Sequence, residues 1–150
     1  MNIFNVDIVR NEWDAFWNDA TDIKKTHEDA NVLIVSMPYN TNSAEATQLE
    51  KMMSACKLDG TKYNIVQVPA TEKIAWHKLK SIFAPQYVIL LGIMPAQLGI
   101  SASFRLFGPN RFDNAIFIAS LSLTEMEQKP EAKKQLWAEG LKPMFVDNMQ

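Results

Sequence analysis

The chain has 150 residues, of which 47% are hydrophobic and 21% are charged, and its formal net charge is −2. This length and composition are typical of one folded domain with a hydrophobic core and exclude a disordered chain. The small negative charge excludes a general attraction to nucleic acid, so any such binding would need a local basic patch.

The amino terminus predicts a helical extension over residues 1–30 of a single 1–150 domain. The segment EWDAFWNDATDIKK repeats apolar residues at helical spacing, in the stripe Trp13, Phe16, Trp17, Ala20 and Ile23. Trp13 and Trp17 could bind a partner protein, since aromatic side chains dominate interface hot spots, or could pack against the domain's own sheet. Acidic residues stand where a signal peptide has a basic head, so we expect a cytoplasmic protein.

Strand-like and helix-like segments alternate through the rest of the chain. VLIVSM, YNIVQV and YVILLG predict three strands. Ser43 is expected to cap the helix AEATQLEKMMSACKL, which ends before Gly60, and Thr71 to cap EKIAWHKLKSIF. Strands that alternate with helices predict an α/β fold, a mainly parallel sheet of about four strands in a three-layer α/β/α arrangement.

The stretch SFRLFGPNRFDNAIFIAS predicts a turn at Gly108–Asn110 between two short strands, and Pro130 is expected to begin a final helix. Aromatic and basic residues alternate around that turn, a mixture that can stack bases and contact phosphate. We prefer the simpler interpretation of a hairpin with inward phenylalanines and solvated arginines. The residues concerned are Phe104, Arg105, Phe107 and Arg111.

The loop after the first strand is where α/β proteins usually place their chemistry. Here it offers Ser36, Met37, Tyr39 and Asn40, without a carboxylate, a histidine or a glycine cradle. Cys56 falls on an inward helix face and is expected to be a buried apolar residue. The two histidines, His27 and His77, lack metal-ligand spacing, so we expect neither a metal nor a cofactor.

The order of these segments resembles the uracil-DNA glycosylase superfamily over roughly residues 31–142. The similar segments are VLIVSMPY, YVILLGIMPAQLGI and KPEAKKQLWAEGLK, the last being the most specific. The resemblance implies a glycosylase-like fold, in which the strand at Tyr87 lies between the strands at Val32 and Ala115.

The chain departs from that superfamily at its catalytic positions. Met37 replaces the water-activating aspartate of one branch, and Ser36 replaces the glutamate of another. Ser122, Leu123 and Thr124 stand at the His-Pro-Ser motif. Cleavage of a glycosidic bond needs a carboxylate and a hydrogen-bond donor on opposite sides, so we expect no enzymatic activity.

The chain also resembles the psi subunit family of the DNA polymerase III clamp loader, which has a glycosylase-like fold without the active site. The similar positions are Ser120, Leu123, Thr124, Glu125, Met126, Pro130, Leu136 and Trp137, with Phe104, Arg105, Leu106 and Gly108 upstream. This resemblance implies a DNA replication accessory protein that binds other proteins of the replication machinery, with weak or absent direct binding of nucleic acid. The amino terminus departs from the short docking peptide of that family.

Two alternatives remain open: a glycosylase-like DNA repair enzyme that uses other groups, and a small-ligand-binding α/β domain. The ligand-binding domain would use the vacated, neutral pocket between the first and last main strands, near Met37, Tyr39, Asn40 and Ser122. The residues expected to line it are Ser36, Met37, Tyr39, Asn40, Ser122 and Thr124. The longest apolar run is interrupted by Gly92 and Pro95 and is too short to span a membrane.

Overall fold

The structure, a computed structural model, describes residues 30–40, 42–69 and 71–146. The predicted amino-terminal helix, with Trp13 and Trp17, lies outside the described residues, and so does His27. The α/β class is confirmed. The strands are β1 (Val32–Ser36), β2 (Tyr63–Gln67), β3 (Tyr87–Leu91), β4 (Pro109–Phe112) and β5 (Ala115–Ser120).

The strands form one sheet in the order β2-β1-β3-β5-β4. β1 pairs in parallel with β2 and β3, and β3 pairs in parallel with β5. The prediction that the strand at Tyr87 lies between the other two is therefore confirmed. The expectation of about four strands in a mainly parallel sheet is wrong, because the sheet has five strands and β4 pairs with β5 in antiparallel fashion.

The additional strand depends on a turn that we predicted at the wrong place. Pro109 and Asn110 belong to β4, and the chain reverses at Asp113 and Asn114. These two residues have positive φ angles of 50° and 64°. Two successive residues of this kind make a tight hairpin turn that suits the twist of the paired strands, and Asp and Asn tolerate the conformation better than most residues.

The helices are α1 (Ala44–Ala55), α2 (Trp76–Phe83), α3 (Leu123–Gln128) and α4 (Pro130–Leu136), with a 3₁₀ turn at Pro95–Leu98 and a π-helix at Trp137–Val146. Ser43 caps α1 as predicted, since its side chain accepts a hydrogen bond from the Ala46 amide, and Pro130 begins α4. After α1, Lys57 rather than Gly60 adopts the left-handed conformation.

The predicted cap at Thr71 is wrong, because α2 begins only at Trp76. The intervening backbone is engaged elsewhere: the Ile74 amide donates to the Gln97 carbonyl. The Gln97 side chain in turn donates to the carbonyls of Pro69 and Glu72. These bonds to the 3₁₀ turn hold residues 71–75 outside the helix.

Side chains of each central strand alternate between two hydrophobic clusters. The α1 cluster contains Val32 and Ile34 together with residues of α1, α3, α4 and the π-helix. The α2 cluster contains Leu33 and Val35 together with residues of α2 and the 3₁₀ turn. β1 and β3 are central because helices cover their apolar side chains in both clusters.

Among the described helices, none combines the length and the apolar character that crossing a membrane requires.

Candidate functional site

The carboxyl ends of β1, β3 and β5 meet around Gly92, which directly follows β3. The Met37 amide donates to the Leu91 carbonyl at 3.2 Å, and the Gly92 amide donates to the Ser120 carbonyl at 3.0 Å. These two bonds continue the parallel pairing for one residue beyond the strands. They bring Met37 from the first strand and Ser122 from the last to the same place.

The space beside Gly92 is crowded. A Cβ placed on Gly92 would lie 2.7 Å from the Ser122 Cβ and 3.0 Å from the Met37 Sδ. Gly92 also has a φ angle of +77°, which an L side chain rarely adopts. The half-buried Met37 packs against the α2 cluster. The predicted pocket residues Met37 and Ser122 are thus close together, and their own atoms crowd the point between them.

Both serines at this edge have local structural roles. Ser36 is 1% exposed, and its hydroxyl donates to the Met37 carbonyl at 2.8 Å. Ser122 caps α3: its Oγ accepts from the Glu125 amide at 3.1 Å and donates to Glu125 Oε1 at 3.2 Å. The Ser36 hydroxyl is bonded to a backbone carbonyl, and the carboxylate that Ser122 contacts, Glu125, is its partner in the capping box of α3.

The backbone groups of two other predicted pocket residues, Tyr39 and Asn40, are bonded to neighbouring segments. The Asn40 carbonyl accepts from the Ser43 amide and hydroxyl at the start of α1. The Tyr39 amide donates to Gln67 Oε1 at 3.4 Å. Desolvation on burial raises the pKa of the Tyr39 phenol, and the nearby Tyr63 raises it further. A neutral, half-buried phenol of this kind is a packing residue with a polar end.

Two carboxylates that we did not select from the sequence lie in the first turns of α1 and α3. Glu45 Oε2 accepts from the Thr124 hydroxyl at 3.2 Å, which places Thr124 on the exposed surface between the two helices. Glu125 completes the capping box with Ser122. The spacing of Ser122 and Glu125, three residues apart, is the sequence signal that could have identified that box. Both carboxylates therefore stabilise the first turns of helices.

The aromatic and basic segment separates into inward rings and outward cations. Phe104 is half-buried and contacts the Phe117 ring at 5.1 Å between centroids, while Phe107 is buried in the α1 cluster. Arg105 and Arg111 are exposed. The arrangement agrees with the simpler interpretation, in which the phenylalanines hold the hairpin and are not presented to bases.

Asn110, expected in a turn, organises this segment instead. Its Oδ1 accepts from the Arg105 amide at 2.8 Å, and its Nδ2 donates to the carbonyls of Arg105, Gly108 and Phe117. The side chain thus fixes the loop that precedes β4. The Arg105 guanidinium lies against Gly108, whose Cβ position it would overlap.

Metal and thiol chemistry receive no support from the described part of the chain. Residues 30–40, 42–69 and 71–146 contain no group of three or more His, Cys, Asp or Glu side chains that could hold a metal ion. Cys56 is fully buried, and desolvation raises the pKa of its thiol to about 12. This thiol is not a nucleophile at neutral pH.

Comparison with models of known protein families and with curated protein sequences finds no match to this chain.

Proposed function

We propose that this protein is a non-catalytic interaction protein with a three-layer, uracil-DNA glycosylase-like fold. In this proposal it is a cytoplasmic DNA replication accessory subunit similar to the psi subunit of the DNA polymerase III clamp loader. The observation that carries the non-catalytic part is the crowding at Gly92, where Met37 Sδ and Ser122 Cβ lie within 3.0 Å of one point. The order β2-β1-β3-β5 is compatible with the proposed fold.

The chemistry of base removal explains why this edge argues against a glycosylase. Bond cleavage develops positive charge on the sugar and negative charge on the leaving base, so it needs a carboxylate and a donor near the reacting bond. Met37 supplies neither, and the Ser122 hydroxyl is bonded to Glu125. Loss of one such group costs roughly 10³-fold in rate, and loss of two leaves little beyond binding.

The same crowding disfavours a small-ligand site at Met37, Tyr39, Asn40 and Ser122. A ligand pocket needs open volume lined by a few convergent polar groups. At this edge the hydroxyls of Ser36 and Ser122 and the backbone carbonyl of Asn40 are bonded to the protein itself. The non-catalytic proposal therefore has more support than either alternative.

A glycosylase assay tests the absence of catalysis. Single- and double-stranded DNA containing uracil or damaged bases would be incubated with the wild type and with Met37→Ala. We expect no turnover by either protein. Turnover by the wild type that Met37→Ala abolishes would contradict the proposal.

A binding assay with purified clamp-loader subunits tests the replication role. We expect a complex in size-exclusion chromatography, and we expect Trp13→Ala or Trp17→Ala to weaken it, with Trp13→Phe as the conservative control. Absence of a complex would contradict the role. If the alanine variants bind normally but melt at lower temperature, the aromatic stripe belongs to the fold and not to the interface.

A further inference from the structure

A groove of about 730 Å³ lies between α1 and the carboxy-terminal helices. One wall is a single face of α1, on which Met52 and Ala55 lie. The opposite wall includes Leu136 at the end of α4, and Trp137 and Leu141 of the π-helix. Leu136 and Leu141 belong to the α1 cluster, and Met52 and Trp137 pack against it, so the base of the groove is continuous with the hydrophobic core.

The two uncharged polar side chains that line the groove are engaged by the protein itself. The Thr47 hydroxyl donates to the Ser43 carbonyl at 3.3 Å. Gln48 Nε2 donates to the Leu123 carbonyl at 3.2 Å, and Gln48 Oε1 is inaccessible to solvent. These groups offer an occupant little hydrogen bonding, so recognition in the groove depends on the apolar walls and on charge.

The charged residues that line the groove are two cations, Lys51 of α1 and Lys133 of α4, and one carboxylate, Glu127 of α3. Lys133 is half-buried. Within residues 30–40, 42–69 and 71–146, neither lysine forms an ion pair with a carboxylate. Two unpaired ammonium groups against one carboxylate leave a positive charge at an apolar surface, which complements an anion.

We propose that the groove binds a single-chain amphipathic anion free in solution, of which a fatty acid carboxylate is the simplest example. Its apolar chain would lie between Met52 and the π-helix, and its anionic head would lie at Lys51 and Lys133. Sites for small ligands have volumes of about 300–1,000 Å³ and are mainly apolar, with a few polar groups that fix the orientation of the ligand. The proposal does not depend on a role in replication.

The extent of the groove favours a small molecule over a protein as its occupant. Eleven residues line it, whereas one side of a standard protein interface has about 20–30 residues. Met52 and Trp137 are both half-buried, so each presents part of its apolar side chain to the groove. A flexible, polarisable methionine at the wall can adapt to an acyl chain.

Isothermal titration calorimetry of the full-length chain tests binding, with decanoate, decanol and octanoate as probes. We expect one decanoate per chain, bound roughly threefold to tenfold more tightly than decanol, because two partly exposed ion pairs contribute modestly. Octanoate lacks two methylene groups and should bind about tenfold more weakly than decanoate. Absence of decanoate binding, or equal affinity for decanoate and decanol, would overturn the proposal.

A matched pair of variants tests the location of the ligand. Ser54 and Ala55 are both exposed on α1, and of the two it is Ala55 that lines the groove. Ala55→Trp should fill the groove and weaken decanoate binding at least about tenfold, since the ligand would lose its apolar contacts. Ser54→Trp should bind as the wild type does, and circular dichroism checks that both variants are folded. Equal decanoate affinity of the two variants would overturn the proposal.

Two adjacent lysines of α4 test the charge. Lys133 lines the groove, whereas Lys134 is exposed and lines a different surface. Lys133→Gln should weaken decanoate binding about threefold and leave decanol binding unchanged, and Lys51→Gln should do the same. Lys134→Gln should change neither affinity. Decanoate binding that the Lys51 and Lys133 replacements leave unchanged would contradict the proposal.

Methyl NMR locates the ligand in the unmodified chain, with methionine methyl groups labelled with ¹³C. Decanoate should shift the Met52 signal, which Met52→Leu assigns, because Met52 lines the groove. The Met94 signal should not shift, since Met94 is 66% exposed and lies outside the groove. An unshifted Met52 signal at saturating decanoate would overturn the proposal.

Vesicle flotation separates a free amphiphile from a membrane lipid. We expect vesicles of dioleoylphosphatidylglycerol not to retain the wild-type chain. Retention that Ala55→Trp abolishes and Ser54→Trp preserves would overturn the proposal, since the groove would then bind a membrane surface.

Discussion

The strand edge at Gly92 and the groove beside α1 differ in how their space is used. At the edge, Met37 Sδ and Ser122 Cβ lie within 3.0 Å of the point where a Gly92 Cβ would be. In the groove, α1 and the carboxy-terminal helices leave about 730 Å³ between them. Packing closes the point beside Gly92, at the edge where an α/β fold usually places its chemistry, while space remains between the helices.

The two regions differ in their polar groups as well. At the strand edge the hydroxyls of Ser36 and Ser122 are both bonded to neighbouring residues. In the groove wall, Gln48 Oε1 is buried and has no hydrogen-bond partner among the described residues. The unpaired oxygen is inaccessible to solvent, so it is a cost to the folded state beside the groove, whereas the hydroxyls at the strand edge carry no such cost.

The largest expected effect is that of Gly92→Ala, which tests whether the edge is closed. The new methyl group would need both a positive φ and space that Ser122 occupies, and the Ser122 backbone is also within 3.0 Å. We expect a loss of about 4 kcal/mol in the free energy of unfolding, from a left-handed conformation and from overpacking together. Urea unfolding followed by circular dichroism measures it.

Gly99→Ala is the matched control for this prediction. Gly99 has a similar φ of +71°, but no atom of the described residues lies within 4 Å of its Cβ position. Its replacement should cost only the backbone component, about 1–2 kcal/mol. Equal losses for the two variants would mean that the edge at Gly92 has room and that our description of it as closed is wrong.

Gly140→Ala tests the packing behind the groove wall formed by the π-helix. A Cβ on Gly140 would lie 2.4 Å from the Phe107 carbonyl oxygen and 3.2 Å from Ile118 Cγ2. Backbone cannot move aside as easily as a flexible side chain, so we expect a loss of about 3 kcal/mol despite the better helix propensity of Ala. The measurement is the shift in the urea midpoint.

Gly60→Ala serves as the control, since in the part of the chain that the structure describes nothing lies within 4 Å of its Cβ position. Its stability should change by less than about 0.5 kcal/mol, as is usual for exposed sites. If Gly140→Ala is as mild as Gly60→Ala, the π-helix can shift and the groove is not a fixed feature of the fold.

Gln48 variants test the unsatisfied acceptor in the groove. Gln48→Met removes the unpaired oxygen and one hydrogen bond together, so we expect a change within about 1 kcal/mol. Gln48→Glu should cost about 2 kcal/mol at neutral pH, because a carboxylate oxygen would face the Leu123 carbonyl that Nε2 now bonds. Chemical denaturation of both variants gives the comparison. A larger loss for Met than for Glu would show that Gln48 Oε1 has a partner.

Strands and helix starts that depend on adjacent residues could be predicted from the sequence. The arrangement of the strand edge could be predicted only in part. Continuous apolar runs identified β1 and β3, and Ser43 and Pro130 marked helix starts because capping depends on adjacent residues. The prediction of a helix cap at Thr71 was wrong because Gln97, which is distant in sequence, is hydrogen-bonded to the backbone that would have begun the helix. The turn at Asp113 was missed because Asn110 has a bonding role that composition cannot reveal.

The predicted pocket residues do not all lie at one place. Met37 and Ser122 do converge, since both follow parallel strands next to β3, whereas Thr124 bonds Glu45 on the surface. Their crowding depends on the conformation of Gly92, and the groove depends on the distance between two helices far apart in sequence. Neither quantity is encoded in a local pattern.

The smallest expected effect is that of Asp113→Asn in the β4–β5 turn. Polar contacts of Asp113 connect this turn to α2. Asp113 Oδ2 accepts from Trp76 Nε1 at 2.8 Å and from Lys80 Nζ at 3.0 Å, and these bonds lower the pKa of the carboxyl, the Trp76 bond most. Asn keeps the positive φ and an oxygen acceptor for Trp76, so the variant removes only the charge.

A lowered pKa fixes the sign of the pH dependence. The charged carboxylate stabilises the folded protein above its ordinary pKa of 3.8, and that contribution is lost as the pH falls through the lower pKa of the folded state. The wild type should therefore be slightly more stable than Asp113→Asn at neutral pH, with the difference shrinking below about pH 4. Thermal unfolding at a series of pH values measures this. A difference that does not vary with pH would mean that the turn is held by its backbone conformation, as the Gly92 edge is, and not by the Asp113 charge.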